Sequence, residues 1–422
     1  MAPSDLLDDL DARGLIHDTT DRAALSARLG EGPITLYHGI DPTADSLHIG
    51  NLLGLVMLRR FLDAGHHVIA LAGGATGMIG DPSGRSEERN LLDEPTLRAN
   101  VEAIKGQIAR VLGADGTWRM VDNIDWTRDV TLLDFLRDVG KHMTVNQMVA
   151  RESVKQRMAG EHGISFTEFS YMLLQANDFW WLHEHLGCEL QIGGSDQWGN
   201  ILGGVDLIRR RSGAAAHALC WPLLTAPDGS KLGKSTGGRV WLDADRTSPF
   251  ELFQHFMQVD DRQVRQQLCW FTVVPVEEID GVMAAHEAEP SRRHAQRLLA
   301  VEVTAMVHGR PAAEEAAAAA ATSFSKDANL TPDALASMEG TVPTSARDGG
   351  EAAAELLALL VECDLAPSKS AARRLVEQGG VYVNEEPVTD PAMFIRPESR
   401  IDGRWLLLRA GKKRRHLIVF SS

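Results

Sequence analysis

The chain has 422 residues, 44% hydrophobic and 24% charged, which excludes wholesale disorder and leaves room for about two to four domains. Its formal net charge of −15 excludes a uniformly basic coat, yet residues 364–422 carry eleven Lys and Arg against seven Asp and Glu, while residues 1–363 carry a net −19. Four cysteines without a CxxC pair argue against a Cys-rich zinc site or a disulfide framework. No uncharged apolar run approaches the ~20 residues of a membrane helix, and the acid-rich start MAPSDLLDDLDARG has neither signal-peptide nor transit-peptide character. A cytoplasmic protein without membrane partners is the expectation.

Residues 33–37 (PITLY) read as a strand, followed by turn signals at Gly39, Asp41 and Pro42. Asp45 or Ser46 is then placed to cap a helix over about 47–64. A second strand, Val68–Ala72, runs into the loop GGATGMIGDPSGRSEER, which holds Arg85 and Arg89. A helix at 95–113, a strand near 118–121 and a helix at 131–139 continue the alternation. That order predicts an α/β body with a parallel sheet covered on both faces and a ligand at the carboxyl ends of its strands. Residues 248–325, including the Ala-rich stretch 312–321, have helical spacing and composition. Residues 326–350 mix Pro, Gly, Ser and Asp and read as a linker. The remainder, 351–422, is predicted as helix (351–362), helix (368–378) and short strands at VYVN, WLLL and HLIV.

Two short motifs carry phosphate chemistry. His48-Ile-Gly50-Asn51 falls at a predicted helix start, where free backbone N–H groups and the macrodipole favour anions and Gly50 allows close approach. Lys231-Leu-Gly233-Lys234-Ser235 sits in a polar glycine-flanked loop, a cationic clamp able to close over a polyphosphate. Alone, the first is equally a helix cap beside an incidental histidine, and the second a solvated surface loop. Their pairing, with a β-type run at 221–225 just before the clamp, adds information that neither holds. Tyr171, Gln175 and Asp178 fall at i, i+4 and i+7, on one helical face.

Taken with LYHGIDPTADSLHIGN, GGATGMIGDPSG, GKHMTVNQM, GISFTEFSYMLLQ and QIGGSDQWGN, these motifs closely resemble bacterial tyrosyl-tRNA synthetases, class I aminoacyl-tRNA synthetases, over essentially the whole chain. The tail PSKSAARRLVEQGGVYVN resembles their S4 RNA-binding domain. The resemblance implies a Rossmann-like parallel-sheet catalytic domain (1–247), a helical anticodon-side domain (248–325), a linker (326–350) and a small α+β S4-like domain (351–422). It also implies a ligase that joins L-tyrosine to tRNA(Tyr) through tyrosyl-adenylate. ATP would be a substrate, as its Mg2+ complex, with no tightly bound cofactor or resident metal, and the protein would be a homodimer.

Carried over by position, Thr43 and His48 would meet the γ-phosphate, Lys231 and Lys234 the leaving pyrophosphate, and Arg85 and Arg89 would assist. Asp41, Gly50, Asn51, Gly194 and Asp196 would hold the nucleotide. Tyr37 and Asp178 would bind the phenol hydroxyl, Asp81, Tyr171 and Gln175 the ammonium, and Gln197 the reacting carboxylate. Lys369, Arg373, Arg374, Lys412, Lys413, Arg414 and Arg415 would form a basic RNA-binding patch, contacting phosphates rather than reading bases. Three positions depart from the pattern: Asn51 replaces a second histidine, the clamp reads KLGKS rather than KMSKS, and His38 stands where smaller residues are usual. A tryptophan-specific relative is disfavoured by the Tyr37/Asp178 pair, and a non-catalytic RNA-binding protein by the retained lysines and His48.

Overall fold

The computed structural model describes residues 6–81, 92–113, 117–160, 163–223, 239–324, 330, 332–339, 342–348, 353–411 and 414–421. The chain packs as two compact units, one formed by residues up to 243 with 259–299, the other by 244–258 with 300 onward.

The first unit is built on six strands: β1 (Asp18–Thr19), β2 (Thr35–Ile40), β3 (His67–Ala72), β4 (Trp118–Asp122), β5 (Cys188–Gly194) and β6 (His217–Trp221). Their spatial order is β1-β6-β5-β2-β3-β4; β2 to β6 are mutually parallel and the short β1 closes the β6 edge antiparallel. β3 and β6 read as continuous apolar runs because both faces are covered. The order reverses at β2, with β3 and β4 on one side and β5 and β6 on the other, so the crevice at its carboxyl end is the switch point where such sheets bind ligands. Helices Phe166–Leu186 and Trp198–Ser212 bury Phe179, Leu182 and Ile208 in a cluster that includes Tyr37 of β2 and Ile69 of β3. The first of them ends at Gly187, whose φ of 62° turns the chain directly into β5.

The helix after β2 spans Ile49–Asp63 and starts later than the predicted Leu47, because His48 is its cap in place of Asp45 or Ser46. Ser46 Oγ is occupied instead, donating to the Leu47 carbonyl and accepting from Asp243 N–H. The run predicted as β at 221–225 is also displaced. The strand overlaps it only at Trp221, where it stops because Pro222 has no N–H for a ladder; Leu224 and Thr225 lie outside the described residues.

The region 248–325 is helical, as its spacing predicts. Its helices distribute between the units: Asp261–Phe271 and Val276–Ala288 belong to the first, Pro249–Met257 and Arg310–Phe324 to the second. The stretch predicted as a linker, 326–350, contains helix Pro332–Met338 and strand β7 (Thr344–Arg347). Its sequence, TSAR, lacks a strand-like apolar alternation because this edge strand is held by backbone pairing to residues 417–420 and by polar side-chain contacts, such as Ser345 Oγ with His416 Nε2 at 2.9 Å, rather than by a buried apolar face. The second unit also contains β8 (Ala354–Glu355), β9 (Val381–Val383), β10 (Glu386–Val388), β11 (Phe394–Ile395), β12 (Trp405–Ala410) and β13 (Arg414–Phe420). These form a five-stranded sheet, β10-β9-β12-β13-β7, in which β13–β7 is parallel, and a separate β8–β11 pair. Helices Leu356–Glu362 and Lys369–Glu377 cover the larger sheet through Leu356, Leu360, Ala372 and Val376. The helix predicted from 351 starts at Leu356, because Ala354 and Glu355 pair with β11.

Candidate active site

His48 stands in extended conformation at the start of helix Ile49–Asp63, and its Nδ1 accepts the Gly50 N–H at 3.0 Å. Burial, followed by the charge of Arg239, pushes the imidazole down to about 4, so the ring is neutral near pH 7. With Nδ1 accepting, the proton sits on Nε2, and His48 is a hydrogen-bond donor at the positive end of a helix. Gly50 is required there, because a Cβ would stand 2.7 Å from His48 Cε1. Asn51 closes the cap from the other side, its Oδ1 accepting the His48 backbone N–H at 3.1 Å. Asn51 and His48 together thus form a capping box at the helix start.

Both flanks of the clamp segment 224–238 are described, although Lys231, Gly233, Lys234 and Ser235 themselves lie outside the described residues. Leu223 lies 3.6 Å from where a Gly194 Cβ would stand. Beyond the segment, Ile49 N–H donates to Val240 O and Leu242 N–H to Leu47 O, pinning 240–242 antiparallel to the start of the His48 helix. Arg85 and Arg89 also lie outside the described residues. Asp41 and the exposed Thr43 share a turn directly after β2, in which Thr43 N–H donates to Asp41 O at 2.9 Å. A Cβ on Gly73, after β3, would be 3.0 Å from Asp41 Oδ1, and one on Gly194, at the end of β5, 2.8 Å from Asp196 Oδ1. At the carboxyl edge of the sheet, Gly73 thus leaves room for the Asp41 carboxylate and Gly194 for that of Asp196.

His38 belongs to this edge. Its Nδ1 lies 3.2 Å from the Ile192 carbonyl, its ring meets Trp221 edge-on at 5.2 Å, and burial pushes it down to about 4. A carbonyl can only accept, so Nδ1 carries the proton and Nε2 is an acceptor. That nitrogen occupies the space over Gly54, where a Cβ would be only 2.3 Å away. The large residue at 38 is thus accommodated by the absence of a side chain at 54.

Deeper in the crevice lies a set of buried polar atoms. Tyr37 is 1% exposed, and its hydroxyl has no hydrogen-bond partner among the described residues. The Oε1 atoms of Gln175 and Gln191 are likewise buried and unpartnered. Tyr37 and Gln191 are register partners on β2 and β5, so both side chains leave the same face of the sheet. Such orphans are rare in folded proteins, and two of them on the same face of adjacent strands, Tyr37 and Gln191, suit a polar ligand group. Asp178 is buried beside them; its Oδ1 accepts Trp126 Nε1–H and its Oδ2 accepts Asn123 Nδ2–H, each at 2.9 Å. Burial pushes its carboxyl up to about 7, against those two bonds. Burial first, and the Asp178 charge second, drive the Tyr37 phenol well above its ordinary value, so it stays protonated. At the other end of the pocket Asp81 accepts Gln197 Nε2–H at 2.7 Å, and Gln197 Oε1 accepts Asn200 Nδ2–H at 3.2 Å. Tyr171 is buried on the helix that bears Gln175 and Asp178. Two carboxylates are thus held in place, Asp178 beside the Tyr37 phenol and Asp81 on the Gln197 amide.

Comparison with known proteins matches this architecture. Residues 29–325 fit the family model for class I tRNA synthetases (W and Y), and residues 335–418 fit the tyrosine–tRNA ligase SYY-like C-terminal domain. The tyrosine–tRNA ligase of Opitutus terrae is 50% identical over 97% of this chain and 98% of its own length. The chain belongs to the tyrosine–tRNA ligase family. The Bacillus caldotenax tyrosine–tRNA ligase is 47% identical over 99% of this chain and 100% of its own. The C-terminally truncated mitochondrial tyrosyl-tRNA synthetase of Aspergillus nidulans superimposes with a TM-score of 0.68 at 34% identity, covering 76% of this chain and 94% of that one.

Sequence reasoning missed three residues of this family member's pocket: Asn123, Trp126 and Gln191. The first two follow β4 directly, and the carboxyl-end rule for parallel strands was signal enough to have found them. In the second unit, Arg373, Arg374 and Arg414 are exposed, and Lys369 pairs with Glu355 at 2.7 Å. Arg415 departs from the expected patch. Its side chain is half-buried and donates to Glu385 at 3.0 Å, because alternation along β13 turns it toward the Glu385–Arg409 pair. Lys412 and Lys413 lie outside the described residues. All four cysteines are buried free thiols, and no group that could hold a metal ion occurs among the described residues. No described helix is long and apolar enough to cross a membrane.

Proposed function

We propose that the protein joins L-tyrosine to tRNA(Tyr) in two steps, working in the cytoplasm. The tyrosine carboxylate attacks the α-phosphorus of ATP; the bond to the β-phosphate oxygen breaks, giving tyrosyl-adenylate and pyrophosphate. A terminal ribose hydroxyl of the tRNA then displaces AMP from the tyrosyl carbonyl. Neither step needs a protein nucleophile, so catalysis is positioning and charge stabilisation. ATP enters as substrate with its Mg2+.

In this reading the phenol hydroxyl of tyrosine donates to ionised Asp178 and pairs with the Tyr37 hydroxyl, satisfying the orphan there. Phenylalanine would leave the buried carboxylate and phenol unpaired, which costs far more than the loss of one ordinary hydrogen bond. Asp81, Tyr171 and Gln175 take the ammonium, and Gln197 the carboxylate that reacts. Asp41, Gly194 and Asp196 hold the nucleoside, with Gly50 and Asn51 at the helix start. His48 Nε2–H and Thr43 donate to the γ-phosphate as charge moves onto it. Lys231 and Lys234, in a segment whose two flanks lie beside Gly194 and His48, neutralise the departing pyrophosphate, with Arg85 and Arg89 assisting. Lys369, Arg373, Arg374 and Arg414, with Lys412 and Lys413, contact tRNA phosphates. Exposed Leu132, Leu133, Val145 and Phe166 are apolar side chains that a homodimer would have reason to cover, and they support that assembly.

The observation that carries the reading is the unpaired Tyr37 hydroxyl buried beside Asp178. ATP–pyrophosphate exchange measured with each of the twenty amino acids tests it. Tyrosine alone should support rapid exchange; exchange driven by tryptophan, or by no amino acid, overturns it.

A further inference from the structure

An aromatic column runs outward from Asp178, and the two-step reaction does not account for it. Trp126 touches the carboxylate through its indole N–H. The indole of Trp181 lies face to face on Trp126, with centroids 4.2 Å apart and planes 9° from parallel. The imidazole of His185 in turn stacks on Trp181 at 4.4 Å and 14°, and His185 Nδ1–H donates to the Trp181 carbonyl at 2.9 Å. His185 is exposed, Trp181 half-buried and Trp126 buried, so the column spans from surface to pocket.

Asp178 and Trp181 are three residues apart on helix Phe166–Leu186, hence on one face, while Trp126 comes from the short helix Ile124–Thr127 after β4. One helix therefore holds the Trp126 ring at two points: the carboxylate takes its N–H and the second indole takes its face. A single hydrogen bond leaves the ring free to pivot about the N–H direction. A parallel ring against its face removes that freedom and keeps water from the bond. Burial raises the value of the N–H contact to a carboxylate whose other hydrogen bond comes from Asn123 alone.

We propose that Trp181, backed by His185, is a positioning residue for tyrosine selectivity: by stacking on Trp126 it fixes the donor that orients Asp178 toward the substrate phenol. The proposal rests on the ligase reading above. It goes beyond the residues that touch substrate, since Trp181 acts only through Trp126.

The test measures pyrophosphate exchange with tyrosine and with phenylalanine in the full-length protein. In Trp181→Leu the ratio of kcat/KM for tyrosine over phenylalanine should fall about tenfold. The loss should appear in the tyrosine KM, with kcat and the ATP KM within about twofold of the parent. Trp181→Phe, which keeps a ring face, should recover most of the ratio. Trp180→Leu removes the neighbouring indole, which lies under Arg211 and meets His185 only edge-on at 6.4 Å rather than stacking on Trp126 or Trp181, and should leave the ratio within about 1.5-fold of the parent. His185→Ala, at an exposed position that does not threaten folding, should lower the ratio about twofold to threefold, and it decides the matter if Trp181→Leu does not fold. An unchanged ratio in His185→Ala or in folded Trp181→Leu overturns the proposal, as does an equal fall in Trp180→Leu. A parent protein that shows no tyrosine-dependent exchange refutes the ligase reading instead.

Discussion

Trp126→Phe keeps a ring in place and removes the N–H that Asp178 accepts at 2.9 Å. The carboxyl stands at about 7 because burial outweighs the bonds from Asn123 and Trp126 that pull it down. A hydrogen bond to an ionised group contributes about 1.5–3 kcal/mol, and one pKa unit corresponds to about 1.4 kcal/mol. Losing the indole bond therefore raises Asp178 by about one to two units, to about 8 or 9. At pH 7.5 the ionised fraction falls from about three quarters to between about a quarter and a few per cent. Because the phenol donates its strongest bond to the ionised form, the tyrosine KM should rise about threefold to twenty-fivefold while the ATP KM holds. The parent should bind tyrosine more tightly as pH rises through about 7, and the variant only as it rises through about 8–9. The same shift has a folding counterpart. The native carboxyl keeps a proton that the unfolded chain releases near pH 4, so its contribution to stability is present in full below that value and is lost as pH rises to about 7. Exchange kinetics against tyrosine from pH 6 to 9.5 check the prediction. A tyrosine KM whose pH midpoint is the same in both proteins would refute the assignment of Asp178 as the group that reads the phenol.

Other outcomes follow from the same geometry. Lys234→Ala should lower the rate of adenylate formation at least a hundredfold with tyrosine affinity nearly intact, measured by single-turnover quench; an equal loss of tyrosine binding would contradict a role at the leaving group. Gly54→Ala places a methyl 2.3 Å from His38 Nε2 and should raise the ATP KM severalfold by displacing the imidazole. Combining it with His38→Ala should cost less than the sum of the two single changes, and strict additivity would show that the two residues do not share the space. Arg373→Gln with Arg374→Gln should raise the tRNA KM and flatten its dependence on salt, leaving pyrophosphate exchange unchanged; a fall in exchange would place these arginines elsewhere in the reaction.

Much of the catalytic unit is legible in local sequence. The alternation of apolar runs with amphipathic helices requires a parallel sheet, and the glycine-rich turns mark its carboxyl edge, because these signals depend on periodicity and backbone freedom within a few residues. The helix carrying Tyr171, Gln175 and Asp178 is readable for the same reason. Asp45 and Ser46 misled because a cap is chosen by competition: Ser46 is taken by contacts with Leu47 and the distant Asp243, leaving His48 and Asn51 to satisfy the helix start. TSAR at 344–347 carries no strand periodicity, and only its parallel partner β13, some seventy residues later, makes it one.

The amino-acid sequence determined the strands, the helices and the identity of the groups that meet substrate. Tertiary structure alone decided which of them lose their water. Burial of Asp178 under Trp126 and Trp181 raises its proton affinity, burial of Tyr37 leaves its hydroxyl without a partner, and Glu385 removes Arg415 from the basic face. Each of these depends on contacts between distant segments, because desolvation is a property of everything packed around a group and no local pattern encodes it.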